Sequence, residues 1–135
     1  MKFSTRGRYA LRLMIDIAQN EGGGYVALKD VADRQGISVK YLEQITTKLS
    51  KAGLVSSFRG CTGGYKTKKD SKECTAGEIL RAAEGNLATV DCLKGEKNTC
   101  SRCITCSTLR FWADLSKAIN DFADSVTLFD LIQNA

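Results

Sequence analysis

The sequence contains no histidine and no proline, and the first absence narrows what the chain can do. Without histidine there is no imidazole for acid–base catalysis, no cysteine–histidine dyad and no zinc finger of the mixed cysteine–histidine kind. No pair of nucleophile and base is recognisable either, so we expect no enzymatic activity and no small-molecule substrate. No run of about 18 apolar residues occurs, and the basic start of the chain is not followed by the apolar core of a signal peptide. The sequence therefore predicts a cytoplasmic protein without a membrane-spanning helix.

Positive charge is concentrated in the first half of the chain. Residues 1–69 carry 13 lysines and arginines against five acidic residues, a net charge of +8, whereas residues 70–135 have a net charge of −3. The chain has 135 residues, of which 43% are hydrophobic, enough for one globular domain. The basic half favours a polyanionic partner such as nucleic acid, although an ordinary soluble basic surface is the alternative.

Apolar periodicity predicts three helices at the start of the chain, over about residues 6–20, over 28–34, and from the cap Ser38 to about Lys51. Gly36 lies four residues after the small Ala32, where the turn between two crossing helices requires a left-handed backbone. The contacts that fix this crossing are expected from four apolar side chains: Val31, Ile37, Leu42 and Ile45. The pattern is typical of a helix-turn-helix, and it also occurs in ordinary helical hairpins.

The outer face of the third helix is polar near its N-terminus, as a helix that enters the major groove of DNA requires. Ser38 and Lys40 suit hydrogen bonds to phosphates or base edges, and Glu43 can accept a hydrogen bond from a cytosine amino group. A solvated helix face is the alternative interpretation.

A β-hairpin is predicted next, with strands at residues 54–58 and 65–67 joined by a glycine-rich turn. Arg59 suits a narrow minor groove, where the negative potential is concentrated. Gly60 and Gly64 would let the backbone approach a phosphate chain closely. The order of helix-turn-helix, strand, Arg-Gly turn and strand favours a winged helix over an incidental tight turn.

The second half of the chain is expected to contain a sensor loop and a dimerisation helix. A capping box at Thr75 opens a helix that Gly85 ends, and a cysteine-bearing loop follows over residues 91–106. The long helix after this loop has an apolar stripe that one small chain cannot bury alone, formed by Trp112, Leu115, Ile119, Phe122 and Val126. A short apolar tail ends the chain.

The predicted fold class is therefore mainly α with a small β-hairpin wing: a winged helix-turn-helix plus a long C-terminal dimerisation helix. We divide its one compact domain into a DNA-binding region (residues 1–85), a sensor loop (86–106) and a dimerisation helix with a tail (107–135). We expect a homodimer through about residues 107–126.

Four of the six cysteines lie within fifteen residues, in the pattern Cys92-x7-Cys100-x2-Cys103-x2-Cys106. In a cytosolic chain, this density indicates metal or redox chemistry rather than structural disulfides. Four thiolates suit an iron–sulfur cluster or an all-cysteine zinc site, and reduced thiols that pack a loop are the alternative. Two further cysteines lie outside the pattern, Cys61 in the wing and Cys74.

Several motifs together resemble one bacterial winged-helix family of transcription regulators, which includes IscR, NsrR and CymR. They are residues 4–13 (STRGRYALRL), 36–38 (GIS) with 41–44 (YLEQ), 51–55 (KAGLV), 59–60 (RG) with 63–65 (GGY), and 126–131 (VTLFDL). The resemblance covers essentially the whole chain and is closest to the cysteine-bearing branch. It implies a sequence-specific regulator that binds imperfect palindromes of double-stranded DNA as a homodimer, paired through the long C-terminal helix.

The resemblance also implies roles for individual residues. It places Ser38, Lys40, Tyr41 and Glu43 on the recognition helix and Arg59 on the wing. It places the N-terminal residues Ser4, Arg6 and Arg8 against DNA phosphates.

By the same resemblance, an iron–sulfur cluster, with two iron and two sulfide ions as the expected type, is bound by Cys92, Cys100 and Cys106. Some relatives use a histidine as the fourth ligand, where this chain has Leu109, and others use an N-terminal carboxylate, where it has Arg8. With no histidine in the chain, Cys103 is the candidate fourth ligand, and a bystander that binds no iron is the alternative. Two alternatives stay open: a cluster-free regulator that responds to thiol oxidation, zinc or a partner protein, and, more remotely, an iron–sulfur electron carrier.

Overall fold

The computed structural model describes residues 3–61, 63–93 and 105–134. Within these ranges the chain forms six α-helices, one short 3-10 helix and two strands. In chain order they are α1 (Thr5–Asn20), α2 (Leu28–Gln35), α3 (Val39–Lys51), β1 (Val55–Phe58), β2 (Gly64–Thr67), α4 (Ala76–Glu84), the 3-10 helix (Asp91–Leu93), α5 (Leu109–Ser125) and α6 (Leu128–Gln133).

The core lies where α1 packs against the other helices. Its eight largest fully buried side chains come from α1, α3, α4 and α6: Leu13, Met14, Ile17, Leu42, Ile45, Leu49, Ile79 and Leu128. Burial of these apolar side chains supplies the main driving force for folding. Because α1 contacts α2, α3, α4 and α6, it is the scaffold on which the other helices are placed.

The helix-turn-helix predicted from the sequence is confirmed. Gly36 ends α2 in the left-handed conformation, with φ of 66° and ψ of 35°. The side chains expected to fix the helix crossing are all buried: Val31, Ala32, Ile37, Leu42 and Ile45. α3 begins at the expected cap, because the Tyr41 N–H donates to the Ser38 hydroxyl at 3.2 Å.

The wing is also confirmed as an antiparallel hairpin. β1 and β2 pair with Val55 opposite Thr67 and Phe58 opposite Gly64. Val26 forms an isolated antiparallel β-bridge with β2, because it exchanges backbone hydrogen bonds of 2.7 and 2.8 Å with Tyr65. The wing is thus joined to the segment after α1.

The C-terminal tail differs from the sequence prediction, because it folds as a helix. Thr127 and Asp130 form a complete capping box at the start of α6, with the Asp130 N–H donating to the Thr127 hydroxyl at 3.1 Å. Leu128, which is fully buried, also donates its N–H to the Cys74 carbonyl at 2.7 Å. α6 is therefore part of the core rather than an appendage.

Across the described residues, no helix combines the length and the apolar character needed to cross a bilayer.

Candidate nucleic-acid interface and metal centre

The outer face of α3 is polar and exposed. Lys40, Glu43, Gln44 and Thr47 all project from it. The Glu43 carboxylate makes neither a hydrogen bond nor an ion pair with any residue in the described parts of the chain. Its backbone carbonyl, in contrast, accepts from the Thr47 hydroxyl at 2.9 Å. An unengaged carboxylate on an exposed helix face is available to an external donor such as a base amino group.

Tyr41 has a different environment from the other recognition-helix residues. It is half-buried, and its ring packs edge-on against Tyr9 of α1 with the ring centroids 5.7 Å apart. The Arg12 guanidinium lies 5.1 Å from the centroid of the Tyr9 ring on the same surface. The Tyr41 ring thus helps to seat α3 on α1, and its expected contact with DNA stays a prediction.

A buried carboxylate, which the sequence analysis did not identify, fixes the helix-turn-helix to α1. Asp16 is 2% exposed and accepts two short hydrogen bonds, at 2.6 Å from Arg34 Nη2 and at 2.9 Å from Gln35 Nε2. Burial alone would raise the pKa of Asp16, but the hydrogen bonds from Arg34 and Gln35 outweigh it and leave the pKa below its ordinary value. The only indication of this anchoring role in the sequence is that a charged residue lies on the apolar side of α1.

The wing carries an exposed arginine, and the glycines beside it serve the packing of the wing itself. Arg59 follows β1 and is exposed. A Cβ atom at Gly63 would lie 2.1 Å from the Phe58 carbonyl oxygen, and one at Gly64 would lie 2.2 Å from the Val26 carbonyl oxygen. Gly60, whose φ is 132°, has no such crowding. Gly60 through its positive φ and Gly64 through its crowding each have a structural reason to be glycine, so close approach of DNA to either stays a prediction.

The N-terminal end of α1 is held by α4. Glu84, the last residue of α4, accepts a hydrogen bond from the Ser4 hydroxyl and another, of 3.0 Å, from the Gly7 N–H. Ser4, expected at a phosphate, is thus engaged within the chain. Arg6 and Arg8 on either side of Gly7 are exposed, as a phosphate contact requires.

Two cysteines of the loop lie on either side of the segment that the structure does not describe. Cys92 is in the 3-10 helix, and Cys106 is in the turn before α5; both are half-buried. The preceding segment is tethered to α5, because Thr89 donates its N–H to the Ser116 hydroxyl at 3.0 Å and its hydroxyl to the Trp112 carbonyl at 3.2 Å.

Two of the four predicted metal ligands, Cys92 and Cys106, lie among the described residues. Cys100 and Cys103 lie outside the described residues. Among the residues that are described, no three cysteine, aspartate or glutamate side chains come together as a metal site. The predicted ligand set therefore stays a prediction.

The two remaining cysteines have opposite environments. Cys61 is exposed on the wing. Cys74 is 1% exposed, and burial, followed by the charge of Glu78, raises the pKa of its thiol to about 11. Because the thiolate is the reactive form, Cys74 is unsuited to redox or metal chemistry at neutral pH.

An apolar groove of about 520 Å³ runs between α5 and the elements beside it. Its lining includes Phe3, Leu11, Leu80, Ile119 and Phe122. Within the single chain, Phe122 is 71% exposed and Leu115 37% exposed. Two of the five residues of the stripe predicted on the long helix are thus exposed and the other three are half-buried, which is an arrangement expected of an interface surface.

Comparison with known proteins identifies relatives over the whole chain. The family model Rrf2, described as an iron-dependent transcriptional regulator, matches residues 3–134. The HTH-type transcriptional regulator IscR of Escherichia coli is 40% identical over 134 residues, 99% of this chain and 82% of that protein.

Solved structures give the same result. CymR, the global cysteine regulator of B. subtilis, superposes with a TM-score of 0.79 at 37% identity, covering 100% of this chain and 98% of that one. IscR of T. potens superposes with a TM-score of 0.77 at 36% identity, covering 99% of this chain and 88% of that one.

Proposed function

This chain belongs to the Rrf2 family of DNA-binding transcriptional regulators, and we propose that it acts as a homodimer whose cysteine-bearing loop senses iron–sulfur cluster status. The observation that carries the proposal is the exposed polar face of α3, with its unengaged Glu43 carboxylate, beside a wing that carries Arg59. We assign residues 1–85 to DNA binding, 86–106 to sensing and 107–135 to dimerisation. A protein with this role acts in the cytoplasm, where bacterial DNA is.

In this proposal, α3 reads base edges in the major groove and the wing reaches the adjacent minor groove. Lys40 and the Ser38 hydroxyl bind phosphates or base edges, Glu43 selects bases that offer a donor, and Arg59 enters the minor groove. Arg6 and Arg8 add phosphate contacts from the end of α1. The basic first half of the chain supplies the electrostatic attraction that all these contacts share.

Replacement of Arg59 or Glu43 by alanine tests this interface, and the two variants are expected to change different properties of DNA binding. On a duplex selected by the protein from a random library, Arg59→Ala is expected to weaken binding by roughly 1–3 kcal/mol. Glu43→Ala should instead broaden sequence preference, because the carboxylate no longer repels bases without a donor. Fluorescence anisotropy with selected and random duplexes measures both effects.

Lys117→Ala is the matched control, since Lys117 is an exposed cation on α5 that pairs with Asp121 outside the helix-turn-helix and the wing. It should leave both affinity and preference unchanged. If Arg59→Ala and Glu43→Ala bound selected and random duplexes as the wild type does, the interface would be wrongly assigned.

The apolar groove beside α5 supports the proposed homodimer. A two-fold symmetric dimer would present two copies of α3, and it would therefore bind an imperfect palindrome with half-sites about one helical turn, roughly 34 Å, apart or a multiple of it. This geometry explains why one small domain with a short recognition helix can be specific.

The cysteine residues fit an iron–sulfur cluster by the chemistry of their donor atoms. Soft thiolates favour iron–sulfur clusters or zinc over hard ions. Cys92 and Cys106 are half-buried, and the anchoring of Thr89 on α5 places the start of the loop against the long helix. We propose Cys92, Cys100 and Cys106 as ligands of a two-iron two-sulfur cluster, and Cys103 as the fourth. When bound, the cluster supplies redox sensitivity and holds the loop in one arrangement.

Anaerobic reconstitution with ferrous iron and sulfide tests the ligand set by visible absorbance and by iron and sulfide analysis. Alanine in place of Cys92, Cys100 or Cys106 should abolish the absorbance. Cys103→Ala decides whether this residue is the fourth ligand. Cys61→Ala and Cys74→Ala are the controls and should keep the absorbance, because one thiol lies on the wing and the other is buried in the core.

Two results would contradict this sensing role. Stoichiometric zinc with no iron, after the same reconstitution, would favour the cluster-free type of regulator, which responds to thiol oxidation, zinc or a partner protein. Equal affinity of the cluster-loaded and metal-free forms for every selected duplex would mean that the cluster does not regulate DNA binding.

A further inference from the structure

Glu84 lies between the N-terminal turn of α1, which it contacts, and the cysteine-bearing loop, which begins soon after it in sequence. Its carboxylate Oε1 accepts hydrogen bonds from the Ser4 hydroxyl and, at 3.0 Å, from the Gly7 N–H. Ser4 is the N-cap residue of α1, yet its own side chain caps no helix N–H. The role that an N-cap side chain normally has is thus taken by a carboxylate 77 positions away from Gly7 in sequence.

The contact with Gly7 is close. Gly7 is buried, and a Cβ atom at this position would lie 2.5 Å from Glu84 Oε1. A residue with a side chain at this position would require the Glu84 carboxylate to shift, so glycine favours its approach to the N–H of the first helical turn. The negative charge is also favourable there, because the unpaired N–H groups of a helix N-terminus carry partial positive charge.

The other side of Glu84 leads directly to the cysteine loop. α4 ends at Glu84, and Gly85 closes the helix by donating its N–H to the Arg81 carbonyl. Leu87 is 3% exposed, and Thr89 is hydrogen-bonded to Ser116 and to the Trp112 carbonyl. The 3-10 helix that contains Cys92 begins two residues after Thr89. A short, well-anchored segment therefore separates the proposed ligand from the carboxylate.

Glu84 and a DNA phosphate would compete for the hydrogen bond that the Ser4 hydroxyl donates. A serine hydroxyl has one proton to donate, which goes either to Glu84 or to a DNA phosphate. The carboxylate also lies against Gly7, between the exposed residues Arg6 and Arg8, and its charge opposes the approach of a phosphate. The position of Glu84 therefore affects both the order and the electrostatic potential of the N-terminal turn of α1.

We propose that Glu84 is the positioning residue that couples the state of the cysteine loop to the DNA-contacting N-terminal turn of α1. This coupling rests on the proposed function. A ligand shifts an equilibrium only by its different affinity for two states. The two states here are Glu84 engaged with Ser4 and Gly7, and Glu84 withdrawn when the end of α4 moves with Cys92.

The test measures the ratio of DNA affinities between the form loaded with iron and sulfide and the metal-free form of the full chain. Glu84→Ala should reduce this ratio by roughly fivefold or bring it to unity, a usual size for an allosteric coupling. Glu84→Gln removes the charge but keeps an amide oxygen that can accept both hydrogen bonds, so its ratio should lie between those of Glu84→Ala and the wild type. Glu78→Gln is the matched control on the same helix: Glu78 binds Lys69, not α1, so the ratio should stay at the wild-type value.

A second measurement needs neither DNA nor metal. In metal-free protein, hydrogen exchange of the Gly7 amide should be roughly tenfold faster in Glu84→Ala than in the wild type, since the acceptor is gone. Ser4→Ala removes one hydrogen bond without changing Glu84, and it should also reduce the affinity ratio. This variant keeps the proposal testable if Glu84→Ala does not fold.

The outcomes separate the two proposals. Iron uptake with an unchanged ratio in Glu84→Ala, or an equal loss of affinity in both forms, would leave Glu84 as a structural cap and overturn the coupling alone. A chain that takes up no iron would overturn the proposed function and the coupling with it. A reduced ratio in Glu84→Ala, an intermediate ratio in Glu84→Gln and a wild-type ratio in Glu78→Gln would support the coupling.

Discussion

At the scale of single residues, one buried carboxylate holds the helix-turn-helix in place. Asp16 is nearly inaccessible, while its partner Arg34 has a side chain that is 40% exposed. Removal of one partner of such a pair costs more than the pair itself contributes, because the remaining group loses its hydrogen bonds. α2 is short, with eight residues, and it depends on this anchor more than a longer helix would.

We therefore expect Asp16→Asn to lower the free energy of unfolding at neutral pH by about 1–3 kcal/mol. The pKa of Asp16 is depressed in the folded chain, so its contribution is present above its ordinary value of 3.8 and is lost as pH falls through the folded-state pKa. The difference in stability between wild type and variant should thus shrink at acid pH. Urea unfolding across this range measures it.

Asp114→Asn is the matched control, because Asp114 is 73% exposed and forms only a loose pair with Arg110. Its effect should be small at every pH. A wild-type advantage over Asp16→Asn that grew as the pH fell would contradict the depressed pKa.

At the scale of elements, the two-stranded wing is joined to the segment after α1 by one isolated β-bridge. The bridge between Val26 and Tyr65 depends on Gly64, whose missing side chain lets the Val26 carbonyl come close. On the outer face, the Phe58 and Tyr25 rings lie 5.3 Å apart, and Lys66 Nζ lies 5.1 Å from the Tyr25 ring. The position of the wing is thus set by the segment after α1 as well as by its own hairpin.

Gly64→Ala should consequently weaken the wing. The new methyl group would clash with the Val26 carbonyl, and we expect a loss of about 1–3 kcal/mol in stability. Amide exchange at Val26 and Tyr65, whose N–H groups form the bridge, should become faster. Gly24→Ala is the control, because its Cβ would meet only the Glu21 carbonyl at an ordinary 3.6 Å. Equal exchange rates in the two variants would contradict the proposed role of Gly64.

The helices and the hairpin could be predicted from sequence because their signals are local. Gly36, Ser38 and the apolar spacing of α3 each act within one or two turns of the chain. The sequence pattern predicts only an apolar tail where α6 lies, although the capping box of Thr127 and Asp130 is visible in it. Short helices of this kind depend on packing, here the burial of Leu128, which no local pattern reveals.

In the candidate site, too, some residues could be predicted from local sequence patterns and others could not. The exposed side chains Lys40, Glu43 and Arg59 could be found from their positions on predicted elements. The contacts of Glu84 with Ser4 and Gly7 could not, because they join residues far apart in sequence, and a glutamate at a helix end is ordinary. The long-range partners Asp16 and Arg34 escaped prediction for the same reason.

At the scale of the whole molecule, the uncovered groove predicts the assembly state. We expect the protein to be a dimer at micromolar concentration. Phe122→Asp should weaken dimerisation at least tenfold, about 1.4 kcal/mol, because it would bury a charge in an apolar interface. Multi-angle light scattering or sedimentation over a dilution series measures the change.

Phe58→Asp is the appropriate control, since Phe58 is also an exposed aromatic residue, at 53%, but lies on the wing. It should leave the dimer intact. A wild-type monomer at micromolar concentration, or a dimer that Phe122→Asp leaves unchanged, would place the interface elsewhere or remove it.

The chain has a single tryptophan, and its position gives the protein a built-in optical reporter. The Trp112 carbonyl accepts the hydrogen bond that tethers the start of the cysteine loop, its ring packs edge-on against Phe111, and Cys106 lies six residues earlier. Emission from this indole therefore originates beside the loop and nowhere else. Rearrangement of the loop changes the quenching and solvation of one fluorophore, so ligand uptake can be followed in the unlabelled protein, in real time, without DNA.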